Sequence, residues 1–356
     1  MTAVRIGILG AAGEAGEGHI RGFQEDPRAR VVALWDVNGD GVRRRAAALG
    51  VADVVDTAEE LVSRDDIDAV VVCTPDHLHA GHAKAALLAG KHVLCEKPTS
   101  TTRADAAELV RLVGASGRVF LGGHVYHFRP DYRAVVGAYH RGAIGRAWLA
   151  EGDYVSDLSE LYGPHGRTPW RSDPEHPQNI LLGGGCHPLG LMLWALRDEV
   201  VEVMAYANHL VEERLPSDDC YVLLLTFAGG AIGRITAAAG NRAKVPDGGH
   251  IVLRGTTGSL WGNRLYRDDE RRGHYAPPIV EEDFVEQFKD SAPRVSDTVQ
   301  VHYWAEQAEH FLDCVEGKSE PMTSVLDSAR VVAALAAGVE SAKLGRPVAV
   351  DNDFTH

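Results

Sequence analysis

The chain has 356 residues, 45% hydrophobic and 24% charged, with a formal net charge of −14. That length suggests two domains with sizeable cores, and the acidic balance argues against nucleic acid or an anionic membrane as partner, because both need concentrated positive charge. No apolar run reaches the roughly 18 residues of a membrane span, and the N-terminal MTAVRIGILGAAG reads as a strand, not a signal peptide.

In chain order, VRIGIL (4–9) is a compact apolar strand followed by glycines and a helical stretch through His19 to Phe23. RVVALWD (30–36) is a second strand and GVRRRAAAL (41–49) its helix; a short strand near Val54-Val55 and the helix AEELVSR (58–64) follow. Then come DAVVVCTP (68–75), a helix over 79–90, the strand HVLCE (92–96), a helix over 103–116 and the strand RVFLGG (118–123). These strands are nearly all apolar, the mark of strands covered on both faces, so the first third predicts a doubly wound parallel sheet of the Rossmann type. After residue 124 the rhythm changes. A helix over 132–141 precedes longer strands (AWLAEGDYV, VVEVMAYANHLV, CYVLLLTFA, AIGRITAAA, HIVLRGTTGSL), which predict a second, α+β domain on a large, open, mostly antiparallel sheet. The expected division is a first domain over 1–123 and a second over 124–356. An amphipathic helix over about 324–345 is expected to pack back on the first domain. The charged span 266–300 reads as a lid, a subunit arm or a loop.

Gly10-Ala11-Ala12-Gly13-Glu14-Ala15-Gly16 follows the first strand and opens a helix, where backbone N–H groups and the helix dipole favour a pyrophosphate. The match to GxGxxG breaks at Ala12. Asp36 ends the second strand, placed to accept hydrogen bonds from an adenosine ribose and to repel a 2′-phosphate, which favours NAD over NADP. Ligands of open α/β sheets sit at the carboxyl ends of strands, so Thr74, Pro75, Glu96, Lys97 and Pro98 are expected to face the same crevice. His77, His79 and His82 form HxHxxH, but no carboxylate is spaced to complete a metal site, and none is expected. Five cysteines (Cys73, Cys95, Cys186, Cys220 and Cys314) without a CxxC pair read as reduced thiols of a cytoplasmic protein.

The run TPDHLHAGHAKAALLAGKHVLCEKP (74–98), after GILGAAGEAG and LWD, resembles the Gfo/Idh/MocA family of nicotinamide-dependent sugar and cyclitol oxidoreductases. FRPDYRAVVGAYHRGAIG (128–145), TPWR (168–171), GGGCHPLGLMLWAL (183–196) and GTTGSL (255–260) extend the resemblance over essentially the whole chain. It implies a Rossmann domain, a second domain with an open sheet, and homodimers or homotetramers packed through that sheet. It also implies that Lys97 is the catalytic lysine, with Glu96 and His79 beside the cofactor, and that His187, which reads as part of a Gly-Gly-Gly-Cys-His-Pro turn (183–188), stands near the reacting hydroxyl. Many members carry an aspartate four residues before that histidine, and some another three residues after it; here the positions are Gly183 and Gly190. His187 therefore works with Lys97 alone, or with an acid from elsewhere such as Asp153 or Asp157, or the chemistry itself is altered.

The expected chemistry is hydride transfer between a secondary ring hydroxyl of a sugar, sugar derivative or cyclitol and the nicotinamide, with the hydroxyl proton leaving to a base. An unperturbed lysine titrates near 10.4 and would need burial or a cationic neighbour to serve; histidine already titrates in the useful range. The segment 154–181 is long, polar and aromatic, and Tyr154, Trp170 and Arg171, with Tyr126, suit sugar recognition. Two alternatives stay open on the same scaffold: an NAD-dependent glycoside-cleaving enzyme that oxidises its substrate transiently, and a non-catalytic ligand sensor.

Overall fold

The computed structural model describes residues 3–242, 251–267, 280–291 and 302–355. The chain divides into two compact units. The first comprises Met1–Arg129, Ala292–Val332 and Asp353–His356, the second Pro130–Ser291 and Ala333–Asn352.

The first unit alternates strand and helix: β1 (Val4–Leu9), α1 (Glu14–Gln24), β2 (Ala29–Trp35), α2 (Gly39–Leu49), β3 (Asp53–Val54), α3 (Ala58–Ser63), β4 (Ala69–Val72), α4 (His79–Leu88), β5 (His92–Glu96), α5 (Arg103–Ser116) and β6 (Phe120–Gly123). All six strands run parallel in the order β3-β2-β1-β4-β5-β6. The order reverses at β1, which puts a ligand crevice beyond the carboxyl ends of β1 and β4. Side chains alternate across the sheet. Ile6, Ile8, Val71 and Leu94 pack on one face with Ile20 and Phe23 of α1, while Val70, Val72 and Val93 pack on the other with Leu61, Ala83 and Leu109. Local signals set the helix ends: the Thr57 and Thr102 side chains cap α3 and α5, and Asn38 caps α2.

The second unit begins with α6 (Pro130–His140) and β7 (Ala147–Val155), followed by the short α7 (Ile180–Gly183) and α8 (Cys186–Leu196). Next come β8 (Val200–Asn208), β9 (Cys220–Phe227), β10 (Ile232–Ala238), β11 (Ile251–Gly255), β12 (Gly258–Trp261), β13 (Arg264–Arg267), β14 (Val280–Asp283) and α9 (Phe284–Gln287). After α10 (Trp304–Val315), which packs in the first unit, come α11 (Val325–Leu344) and β15 (Val348–Ala349). The nine-stranded sheet has the order β14-β13-β12-β11-β7-β10-β9-β8-β15, antiparallel except where β7 meets β10. It is the mostly antiparallel sheet that the strand pattern implied.

Three elements depart from the sequence reading. HIVLRGTTGSL is not one strand: Thr256-Thr257 turn the chain between β11 and β12. The span 266–300 lies largely outside the described residues, and its described part adds β14 to the sheet edge and a turn of helix capped by Asp283. His187 is not in a glycine turn but is the second residue of α8, whose first turn is buried.

Candidate active site

The glycine turn is built for close approach. Gly10 has φ +82°, and a Cβ there would lie 2.5 Å from the Cys73 backbone; one on Gly16 would lie 2.6 Å from Ala11 Cα. Gly13 is different: it is the N-cap of α1 without a side-chain cap, and a Cβ there would meet nothing nearer than 3.8 Å. The first-turn N–H groups of α1 are therefore open to an anion, so these residues fit a dinucleotide pyrophosphate. Asp36 locks the turn to β2: Ala12 N–H donates to its Oδ2 (2.9 Å) and Asn38 N–H to its Oδ1 (2.8 Å). A carboxylate has about four lone-pair positions, so it keeps capacity for a ribose hydroxyl. Arg45 braces the same turn, donating to the Ala12 carbonyl (3.0 Å) and pairing with Glu17.

At the ends of β4 and β5, His79 is buried, with Nε2 2.6 Å from the Thr74 carbonyl and Nδ1 2.7 Å from that of Pro98. Whichever nitrogen carries the hydrogen, it meets a backbone oxygen. His79 thus ties two strand ends together and presents no ring nitrogen to a cofactor. Thr74 Oγ1 lies 3.1 Å from His82 Nδ1, and Pro75 leads into the turn before α4. No group of three or more His, Cys, Asp or Glu side chains among the described residues could hold a metal ion.

Lys97 follows β5, is half-buried, and joins Pro98 by a cis peptide bond. Its neighbour Glu96 is buried, with Oε1 2.9 Å from His19 Nε2, and Lys97 N–H donates to Oε2 (3.2 Å). Burial pushes the Glu96 carboxyl up. The His19 hydrogen bond, helped by the electrostatic influence of His19, Lys97 and His302, outweighs it and holds the carboxyl down at about 2. His124, just past β6, is pushed down to about 4, by burial first; Glu96 pulls it up and Lys97 down. Tyr126 lies on the 3-10 turn Val125–Phe128, packed against the cluster around Trp304, with Arg129 over its ring. Sequence reasoning missed His19 and Trp304. A histidine on the inward face of a glycine-bearing helix was the visible sign; its partner 77 residues away was not.

In the second unit His187 stacks on Tyr154, ring centroids 5.5 Å apart. Gly184 makes room, since a Cβ there would lie 2.4 Å from the Tyr154 ring. Tyr154 and Asp153 are consecutive on β7, so they face opposite sides of the sheet. Asp153 is held on the far side by Arg234 (2.8 Å) and cannot orient His187. Asp157 is exposed and accepts the Ser159 N–H. Trp170 and Arg171 form the turn Pro169–Ser172, with the guanidinium 4.6 Å from the indole centroid and donating to Thr168 Oγ1.

A doubly wound sheet with an anion-ready glycine turn, an acid at the end of β2 and a lysine at the end of β5 defines a nicotinamide-nucleotide oxidoreductase. Residues 4–124 match the model of an oxidoreductase family with an NAD-binding Rossmann fold, and residues 132–261 match the GFO/IDH/MocA C-terminal domain. The chain is 30% identical over 262 residues to a 1,5-anhydro-D-fructose reductase of Ensifer adhaerens, covering 73% of this chain and 76% of that one. It is 32% identical over 208 residues to an inositol 2-dehydrogenase of Acidothermus cellulolyticus, covering 58% of this chain and 57% of that one. An oxidoreductase domain protein from Kribbella flavida superposes with a TM-score of 0.82 at 26% identity, over 99% of this chain and 100% of that one. The chain belongs to the Gfo/Idh/MocA family of oxidoreductases. No helix among the described residues is long and apolar enough to cross a membrane.

Proposed function

We propose that this protein is an NAD-dependent dehydrogenase or reductase that moves a hydride between the nicotinamide and a carbon bearing a secondary ring hydroxyl of a sugar, sugar derivative or cyclitol. One observation carries the reading: Lys97 stands at the carboxyl end of a central parallel strand, its backbone held by a buried, ionised Glu96. The names of the relatives, an anhydrofructose reductase and an inositol dehydrogenase, support the substrate class.

The nicotinamide, when bound, supplies the hydride acceptor for oxidation and the donor for reduction. The chain's own residues do the rest. The N-terminus of α1 and Gly13 hold the pyrophosphate, and Asp36 accepts from the adenosine ribose and disfavours a 2′-phosphate, so the cofactor is NAD more than NADP. Thr74 and Pro75 line the cofactor crevice. Lys97 takes the hydroxyl proton during oxidation and returns it during reduction, and His187, in the second unit, is proposed to bind a substrate hydroxyl. Tyr154 fixes the His187 ring, while Tyr126, Trp170 and Arg171 meet the substrate's faces and hydroxyls. The five cysteines, none of them in a disulfide, suit a reducing cytoplasm.

The test is incubation with NAD⁺ and a panel of inositols, aldoses, glycosides and anhydrosugars, following nicotinamide absorbance. Steady NADH formation from a polyol, reduced about 10²–10⁴-fold in Lys97→Ala with NAD binding intact, is the expected result. Aglycone release without net NADH would replace this reading by glycoside cleavage. Binding of NAD and a sugar without turnover of either would replace it by a sensor.

A further inference from the structure

His19 is fully buried on α1, and Glu96 is the polar group it reaches; its second nitrogen, Nδ1, is buried without a hydrogen-bond partner. A buried imidazole with one nitrogen unsatisfied costs free energy that an apolar side chain would avoid. Packing alone therefore does not account for a histidine here. The surroundings fix its ring. Gly18 and Gly22 bring α10 close to α1, and Trp304 meets the imidazole edge-on with centroids 4.6 Å apart. His302 stacks on Trp304 with centroids 4.9 Å apart.

We propose that His19 is a positioning residue that acts on Lys97 through Glu96: its Nε2–H fixes one carboxylate oxygen (2.9 Å), so that the other receives the Lys97 backbone N–H (3.2 Å). The inference rests on the proton-transfer role proposed for Lys97. The groups that act on the Glu96 carboxylate come from every side. They are His19 on α1, His302 before α10, His124 after β6, the thiols Cys73 and Cys95 at the strand ends, and Lys97 itself. Of these His19 hydrogen-bonds the Glu96 side chain directly, and it is the largest influence favouring the ionised carboxyl. Without it the buried carboxyl takes up a proton in the mildly acidic range, stops accepting the Lys97 N–H in its present geometry, and leaves the lysine unanchored.

Two variants separate positioning from packing. His19→Ala removes the donor, whereas His19→Gln keeps an amide N–H at about the reach of Nε2. If His19→Ala does not fold, His19→Asn, whose amide is too short to reach Glu96, takes its place. In protein labelled with [¹⁵N]lysine, the Lys97 amide (identified by its loss in Lys97→Arg) reports on the carboxylate without any turnover. The expected result is an amide shift that stays flat from about pH 8 to pH 5, above the range in which His124 titrates, in the native protein and in His19→Gln, and titrates within that window in His19→Ala. In turnover with the best polyol of the panel, His19→Ala is expected to lose about tenfold or more in kcat with KM for NAD within about twofold, and to gain a new acid limb. His19→Gln recovers most of that loss. If the amide behaves alike in all three proteins, or Gln fails as badly as Ala, the inference is overturned. Absence of turnover in every protein would sink the dehydrogenase reading alone, because the amide titration is read without substrate.

Discussion

His124 illustrates what a single buried residue does to acid stability. It is 3% exposed, and its carboxylate neighbour Glu96 offsets only part of the burial that lowers its pKa from 6.5 to about 4. A depressed histidine is neutral in the folded protein over a range where the unfolded chain binds a proton. Its contribution is therefore complete above pH 6.5 and is lost as the pH falls toward 4, an effect of about 3 kcal/mol. Glu96, depressed from 4.5 to about 2, acts in a lower window, below 4.5. Urea midpoints measured from about pH 7.5 down to pH 4.5 should fall in the native protein and fall less steeply in His124→Phe, since the depressed His82 and His92 still titrate there. Equal slopes would mean that His124 is not the group that titrates. Asp36 makes a second residue-scale prediction. Its carboxylate faces the glycine turn, so Asp36→Ser removes the charge that a 2′-phosphate would meet and should shift the NADP/NAD ratio of kcat/KM toward NADP by about tenfold or more. An unchanged ratio would show that discrimination lies elsewhere. One residue-scale question was answerable in advance: consecutive strand residues face opposite ways, so a Tyr154 turned toward His187 already turns Asp153 away.

At the scale of elements, α1 is a helix made thin for its neighbour. A Cβ on Gly22 would lie 2.7 Å from the Trp304 carbonyl oxygen and 2.8 Å from its carbon, atoms of a backbone that cannot swing aside. Alanine is ordinarily worth about 1 kcal/mol over glycine inside a helix. Here overpacking wins, and Gly22→Ala should destabilise the first unit by about 1–3 kcal/mol, visible as a lower Tm. A gain in Tm would show that α10 yields. The same elements show how far the sequence could be read. The parallel strands were legible because each is a short apolar run between turn signals, and AVVV of β4 is buried throughout, as such a run implies. Helix α8 was not legible as a helix. CHPLGLMLWAL is apolar on nearly every side, so it carries no 3.6-residue period, and the glycines before His187 imitate a turn. Helix α10 went unread for another reason: its partner is α1, nearly 300 positions earlier, and only the assembled first unit gives its apolar stripe a destination. The Rossmann half of the candidate site was thus visible as motifs at strand ends. The His19–Glu96 link was not, because no local pattern joins residues 77 positions apart.

For the whole molecule, the nine-stranded sheet raises the question of what covers its outer face. Burial along β9 alternates residue by residue, although the sequence CYVLLLTF is almost uniformly apolar. Tyr221, Leu223 and Leu225 are buried, while Val222 and Leu224 stand 40% and 52% exposed. Register carries the exposed face sideways, since Leu224 pairs with Arg234 and Met204, Val222 pairs with Tyr206, and Ile232 pairs with Thr226. Tyr206, Val222, Leu224 and Ile232 therefore share one open face, bordered by the Glu151–Arg234–Asp153 ion network. A contiguous apolar patch rimmed by charges is the character of a protein interface, and we propose that a second copy of this chain covers it. Sedimentation of the native protein should then give two or four chains per particle. Leu224→Glu combined with Ile232→Glu places charges in the middle of the patch and should yield single chains with near-native circular dichroism, since neither side chain contributes to the core. Single chains from the native protein would leave that face to another partner, whereas an undisturbed oligomer in the double variant would move the interface elsewhere.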